Sequence, residues 1–215
     1  MVPKSSRSVR LMLVLILAAS VVAVAACGSD DDPSSASSDG NRKVEKAFLT
    51  GMAHHHETAI EMARIAQKRG KDPFVKKLAD NIIATQEGEL AQMKKIYQRL
   101  FGGALKPDPG AHDGLGLSAE EAGMTHTEDT NKMLEAANPF DRAFVDEMVP
   151  HHRGAIKMAK VVLKSTDDAA LKALATGIVK TQEREVAEMN SFRTKKFGGP
   201  VPKSSGSKMD PGMGH

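Results

Sequence analysis

Cysteine is all but absent: the 215-residue chain holds one, Cys27. With no second thiol, no disulfide can staple the fold, and stability has to come from packing. Excess charge is missing too. Three of the 30 basic residues, Lys4, Arg7 and Arg10, sit at the extreme N-terminus, and the remainder balance the 27 acidic residues. A formally neutral body has no basic footprint, which excludes nucleic acid as a partner. A full membrane span is lacking as well. The uncharged run over residues 11–26 falls short of the roughly 20 apolar residues that a spanning helix needs.

What that run does supply, behind its three positive charges, is an export leader: a basic start, a short Leu/Val/Ala core and small residues before a cut. Its ending, Val24-Ala25-Ala26-Cys27, resembles the lipobox of bacterial lipoproteins. That resemblance implies that residues 1–26 are removed and that Cys27 carries the lipid that holds the protein to a membrane. The protein is then expected outside the cytoplasm, at the outer face of the cell membrane or in the periplasm. Residues 28–41 are Ser/Asp-rich with few apolar side chains and read as a flexible tether, because they cannot offset their ordering entropy.

The body of the chain is duplicated. At a constant offset of 96, Phe48 falls on Phe144, Met52 on Met148, His55 and His56 on His151 and His152, and Met62 on Met158. Thr85-Gln86-Glu87 falls on Thr181-Gln182-Glu183, Glu89 on Glu185, and Met93 on Met189. Each copy reads as two helices of about 25 residues with apolar stripes stepping by three and four. The first hinge is marked by Gly70, then Asp72 as N-cap and Pro73 in the first turn. Pro150 is expected to kink or break the third helix. The expected fold is all-α: two duplicated hairpins closing a ferritin-like four-helix bundle over residues 42–198. Within it lie repeat one (44–103), a long crossover (104–138) with short helical pieces from Ser118 and around residues 127–137, and repeat two (139–199). Residues 200–215 form a Gly/Pro/Ser-rich tail that is expected to be disordered; it carries Met209, Met213 and His215.

The stripes are not wholly apolar. Antiparallel pairing about residue 71 puts residue n level with 142 minus n, so His55 is expected beside Gln86 and Glu89, and His151 beside Gln182 and Glu185. Buried imidazole and carboxylate at one height are what a metal ion requires; a hydrogen-bond network fixing helix register is the plain alternative. The candidate ligands are His55, His56, Glu89, His151, His152 and Glu185, joined by Met52, Met148, Met62 and Met158 as thioether donors. Gln86 and Gln182 are candidates for orienting those ligands. Thioether and imidazole suit Cu(I), and imidazole also suits Cu(II) and zinc, with Met124 and His126 as further soft donors in the crossover.

The doubled Met-x-x-His-His motif, followed by Ala59-Ile60-Glu61-Met62-Ala63 or Ala155-Ile156-Lys157-Met158-Ala159 and then Gln-Glu-x-Glu, resembles the exported family known as domain of unknown function 305. The resemblance implies a ferritin-like bundle and, for some members, copper handling, but no established reaction. His54 stands where the second copy has Pro150. The leading expectation is a lipoprotein that binds copper for sequestration or handling. A ferritin-like oxidase with an iron or other metal centre and a metal-free surface module are the alternatives. With two Glu and no Glu-x-x-His in the seams, the usual di-iron set is incomplete.

Overall fold

In the computed structural model the described residues are 33–202, and every regular element among them is helical. The leader, Cys27, the first part of the expected tether and the Met/His residues of the tail lie outside them. The order is α1 (Pro33–Arg69), α2 (Pro73–Phe101), a 3-10 turn (Ala111–Leu115), α3 (Glu128–Ala136), α4 (Phe140–Ser165) and α5 (Ala169–Phe197). No helix among the described residues is long and apolar enough to cross a membrane.

The hinges form as their residues dictate. Asp72 accepts from the Phe74 backbone N–H and Pro73 opens α2, while Asp168 accepts from the Leu171 N–H at the start of α5. The expected tether is corrected in part, and the expected break at Pro150 does not occur. Helix α1 begins at Pro33, so residues 33–41 continue the first helix instead of serving as tether. Proline loses nothing at a helix start, and adding residues to an existing helix is far easier than nucleating one. Helix α4 also runs unbroken through Pro150, whose flanks, Val149 and His151, are both buried. In the crossover, α3 forms close to where it was expected, but the segment from Ser118 makes only a hydrogen-bonded turn.

Helix α1 packs on α2, α4 on α5, α1 on α4 and α2 on α5. Cross-links give the direction. Arg64 meets Glu87, Gln67 meets Asp80, and Lys160 meets Glu183, so later residues on one helix face earlier ones on its partner: both pairs are antiparallel. Helices α1 and α4 are antiparallel as well. The upper core holds Phe48, Met52, Met93, Met158 and Ile178, and the lower core holds Phe144, Met148, Met189, Met62 and Ile82. Each residue's mate at the 96 offset lies in the other cluster. The two cores are therefore exchanged by an approximate two-fold axis, which crosses the molecule where His55 faces His151.

The same axis organises the polar locks. Asp141 accepts from the backbone N–H groups of Lys71 and Asp72 in the first hinge. Its mate Glu45 accepts from the Thr166 hydroxyl in the second. Asp168 pairs with Arg99 at 2.7 Å, and its mate Asp72 pairs with Lys196 at 3.0 Å. Each repeat thus ties down the hinge of the other.

The crossover breaks the symmetry. On one side the 3-10 turn presses Ala111 toward Gly51 and Met158. On the other, Ala122 and Gly123 lie so close to α4 that a Cβ at Gly154 would run into the Ala122 carbonyl. Gly123, at φ 67°, has the His151 carbonyl where its own Cβ would go, so both glycines are required by the approach of two backbones.

Candidate metal centre

Between the two apolar cores lies a layer made only of polar side chains. On α2 the inward stripe runs Ile82, Gln86, Glu89, Met93, and on α5 it runs Ile178, Gln182, Glu185, Met189. The end members of each stripe belong to opposite cores, which leaves Gln86, Glu89, Gln182 and Glu185 at mid-height. His55, His56, His151 and His152 join them, and all eight are buried. The pairing differs from the sequence expectation. His56, not His55, bonds Glu89, and His152, not His151, bonds Glu185, both from Nε2 to Oε2 at 2.7 Å. The hinge sets the register three residues further along than a turn about residue 71, which put residue 86 opposite 56. Successive helical residues also point about 100° apart, so His56 reaches α2 while His55 reaches α4.

The His55 and His151 rings lie against each other, tilted by 41°, with ring centres 3.7 Å apart. His55 Nε2 donates to the His151 carbonyl at 3.0 Å. The Thr58 hydroxyl donates to the His55 carbonyl at 2.9 Å, so its oxygen accepts from His151 Nε2 at 2.9 Å. Every one of the four Nε2 atoms therefore bears the proton and spends it on an oxygen. In a neutral ring the lone pair is then on Nδ1, and all four Nδ1 atoms are buried without a hydrogen-bond partner. So are the amide nitrogen and oxygen of both Gln86 and Gln182. Burial pushes the His55 and His151 imidazoles well below the ordinary 6.5, and the neighbouring imidazoles push in the same direction. Both rings are neutral at neutral pH, the form in which imidazole binds a metal.

Residues 45–193 match the family model described as "Domain of unknown function (DUF305)". The chain belongs to the DUF305 family. Among solved structures it is similar to CopM in the Cu(I)-bound form, at 30% identity over 72% of this chain and 98% of that one, with a TM-score of 0.60. CopM has also been solved in apo, Cu(II)-bound and Ag-bound forms. A DUF305 protein from Streptomyces coelicolor shares the fold, with a TM-score of 0.65 at 24% identity over 75% of this chain and 98% of that one. Uncharacterized protein L153 of Acanthamoeba polyphaga mimivirus is 43% identical over 52 residues, 24% of this chain and 34% of that protein. The chain thus spans about a third of this curated relative.

In this DUF305 domain the methionines flank the polar layer instead of lying in it. Met52 and Met158 lie in the upper core and Met62 and Met148 in the lower, all fully buried. Among the described residues no three His, Cys, Asp or Glu side chains converge as a metal-binding group. The donors on hand are imidazole nitrogens and thioether sulfurs, while each carboxylate is engaged in orienting an imidazole. Such a set fits a soft ion of low coordination number better than a hard ion wanting many oxygens. Thr58 was not legible as part of the layer. Its position three residues after His55 is the only sequence signal, and its mate is Gly154, so the repeat does not flag it.

Proposed function

We propose that this DUF305 protein is an exported, lipid-anchored copper-binding protein that sequesters the ion or hands it on. In this reading the two hairpins make a ferritin-like four-helix bundle whose mid-height layer is the binding centre. The observation that carries the proposal is the set of four buried Nδ1 atoms left without partners while each Nε2 is held by a hydrogen bond. An unsatisfied buried polar group costs about 1–3 kcal/mol, and a domain is stable by only about 5–15 kcal/mol. Eight such atoms in one layer weigh against a purely structural network and favour donors kept for a ligand. The copper- and silver-bound forms of CopM point to the same class of ion. His55, His56, His151 and His152 would bind, with Glu89 and Glu185 holding His56 and His152 in the binding tautomer and Met52, Met62, Met148 and Met158 supplying thioethers nearby. Gln86 and Gln182 would complete the layer's contacts. Cys27 would hold the assembly at the membrane through its lipid.

Titration of Cu(I) against a chromogenic chelator decides the matter. His55→Ala and His151→Ala should each weaken binding at least tenfold while circular dichroism stays helical, and the double variant should retain only what the Met/His tail binds. Equal binding by wild type and the double variant would sink the proposal.

A further inference from the structure

The approximate two-fold axis gives the molecule two equivalent flanks. Ala47, Thr50 and Tyr97 border a hollow on one, and their mates Ala143, Asp146 and Arg193 border a hollow on the other, each of about 650 Å³. The flanks end differently inside. On the first, the 3-10 turn seats Ala111 against Gly51 and Met158, and no histidine lines the hollow. On the second, Gly51's place is taken by Glu147, and the hollow reaches Met62 and His151. Among the described residues, the second hollow therefore reaches the histidine layer at His151, and the first does not reach it at His55.

The crossover adds a residue at this opening that has no counterpart in either repeat. His126, half-buried, lines the same hollow, and its ring centre lies 6.4 Å from that of His151. Asn131 donates to Glu61 through its amide nitrogen, which turns its carbonyl oxygen to His126 Nε2 at 2.9 Å. Nε2 thus carries the proton and Nδ1 the lone pair, as in the four buried histidines. This Glu61–Asn131–His126 relay is the kind of outer contact that fixes a ligand's tautomer.

Resting on the copper reading above, we propose that His126, His151 and Met62 form an outer capture site for a soft monovalent ion, Cu(I) or Ag(I), through which the histidine layer is loaded. An ion held in near-linear fashion between one nitrogen of each of two imidazoles, at about the 2.0–2.1 Å seen for zinc, sets their ring centres roughly 6–6.5 Å apart, and the His126–His151 spacing is 6.4 Å. The thioether of Met62 lines the same hollow and would add a weak soft contact from the side of that near-linear pair. From His151 the ion has a close neighbour, His55, at 3.7 Å between ring centres, so it moves inward by exchanging one neutral nitrogen for another, with no proton released.

Nitrogen-15 spectra of the histidine side chains, taken on the full chain during Ag(I) titration, test the site without any substitution. The Nδ1 resonances of His126 and His151 should move together in the first equivalent. His126→Ala should then slow the uptake of Cu(I) from a chelator at least tenfold, with His126→Gln as a second variant that keeps the side-chain bulk. If the layer histidines respond while His126 stays unchanged, and His126→Ala takes up Cu(I) at the wild-type rate, the outer site is wrong and the layer reading stands. If no histidine responds to either ion, both fall.

Discussion

Two adjacent histidines in one motif have different neighbours and different chemistry. His56 is tied to a carboxylate on its own hairpin, while His55 crosses to the other repeat and lies tilted against its mate. The difference has a consequence for pH. His55 and His151 have folded pKa values well below the unfolded 6.5, so neither state is protonated at these positions above about pH 6.5, and their contribution is then whole. As pH falls from about 6.5 toward the folded values, the unfolded chain takes up protons that the native layer excludes, and stability drops by up to roughly 1.4 kcal/mol per pH unit for each ring. Urea unfolding of the metal-free protein at pH 7.0 and 5.5 should show this loss in wild type and a smaller one in His55→Gln with His151→Gln. Equal losses in the two proteins would refute it. The identity of these residues was legible in the sequence, because the repeat singles them out. Their partners were not: a three-residue change of register at the hinge and a 100° step along the helix decide which histidine meets Glu89, and neither is written in a periodicity.

Among the elements, the four long helices and α3 were legible, and the turns of the crossover were not. Helical stripes are local patterns that repeat every turn, whereas the turn at residues 118–124 and the 3-10 plug at Ala111 are held by contacts to distant backbone. The glycines separate the two situations. Gly154 lies under the Ala122 carbonyl, while Gly88 and Gly177, on exposed helix faces, have nothing within 4 Å of a built Cβ. Gly154→Ala should therefore push the crossover off α4 and cost about 1–3 kcal/mol. Gly88→Ala and Gly177→Ala should each stabilise by about 0.8–1.0 kcal/mol through helix propensity alone. Thermal denaturation of the three variants checks the signs, and amide exchange should speed up over residues 118–124 in Gly154→Ala only. A neutral or stabilising Gly154→Ala would mean that the crossover is not packed as described.

At the scale of the whole molecule, the layer joins the halves: each core contains helices from both repeats, and each hinge is anchored by the other repeat. Neither hairpin has a core of its own, so unfolding should be a single transition in which metal binding stabilises both repeats at once. A free ion at a hundred times its dissociation constant adds about 2.7 kcal/mol, and at roughly 2–4 °C per kcal/mol the midpoint should rise by about 5–10 °C. Scanning calorimetry with and without Ag(I) should show one peak that moves as a whole. Two peaks, only one of them shifted, would mean that the repeats fold independently.

On the proposed copper reading, the contact at Gly51 also bears on where an ion could pass. A symmetric duplicate would have two mouths and could act as a conduit, filling from one side and draining from the other. With Ala111 seated on one flank and the opposite flank open above His151, the molecule has a front and a back. On that reading it is a cul-de-sac: an ion that enters would leave by the same mouth. The same reading places a protein that collects the ion over the crossover, on the face where the ion would have arrived.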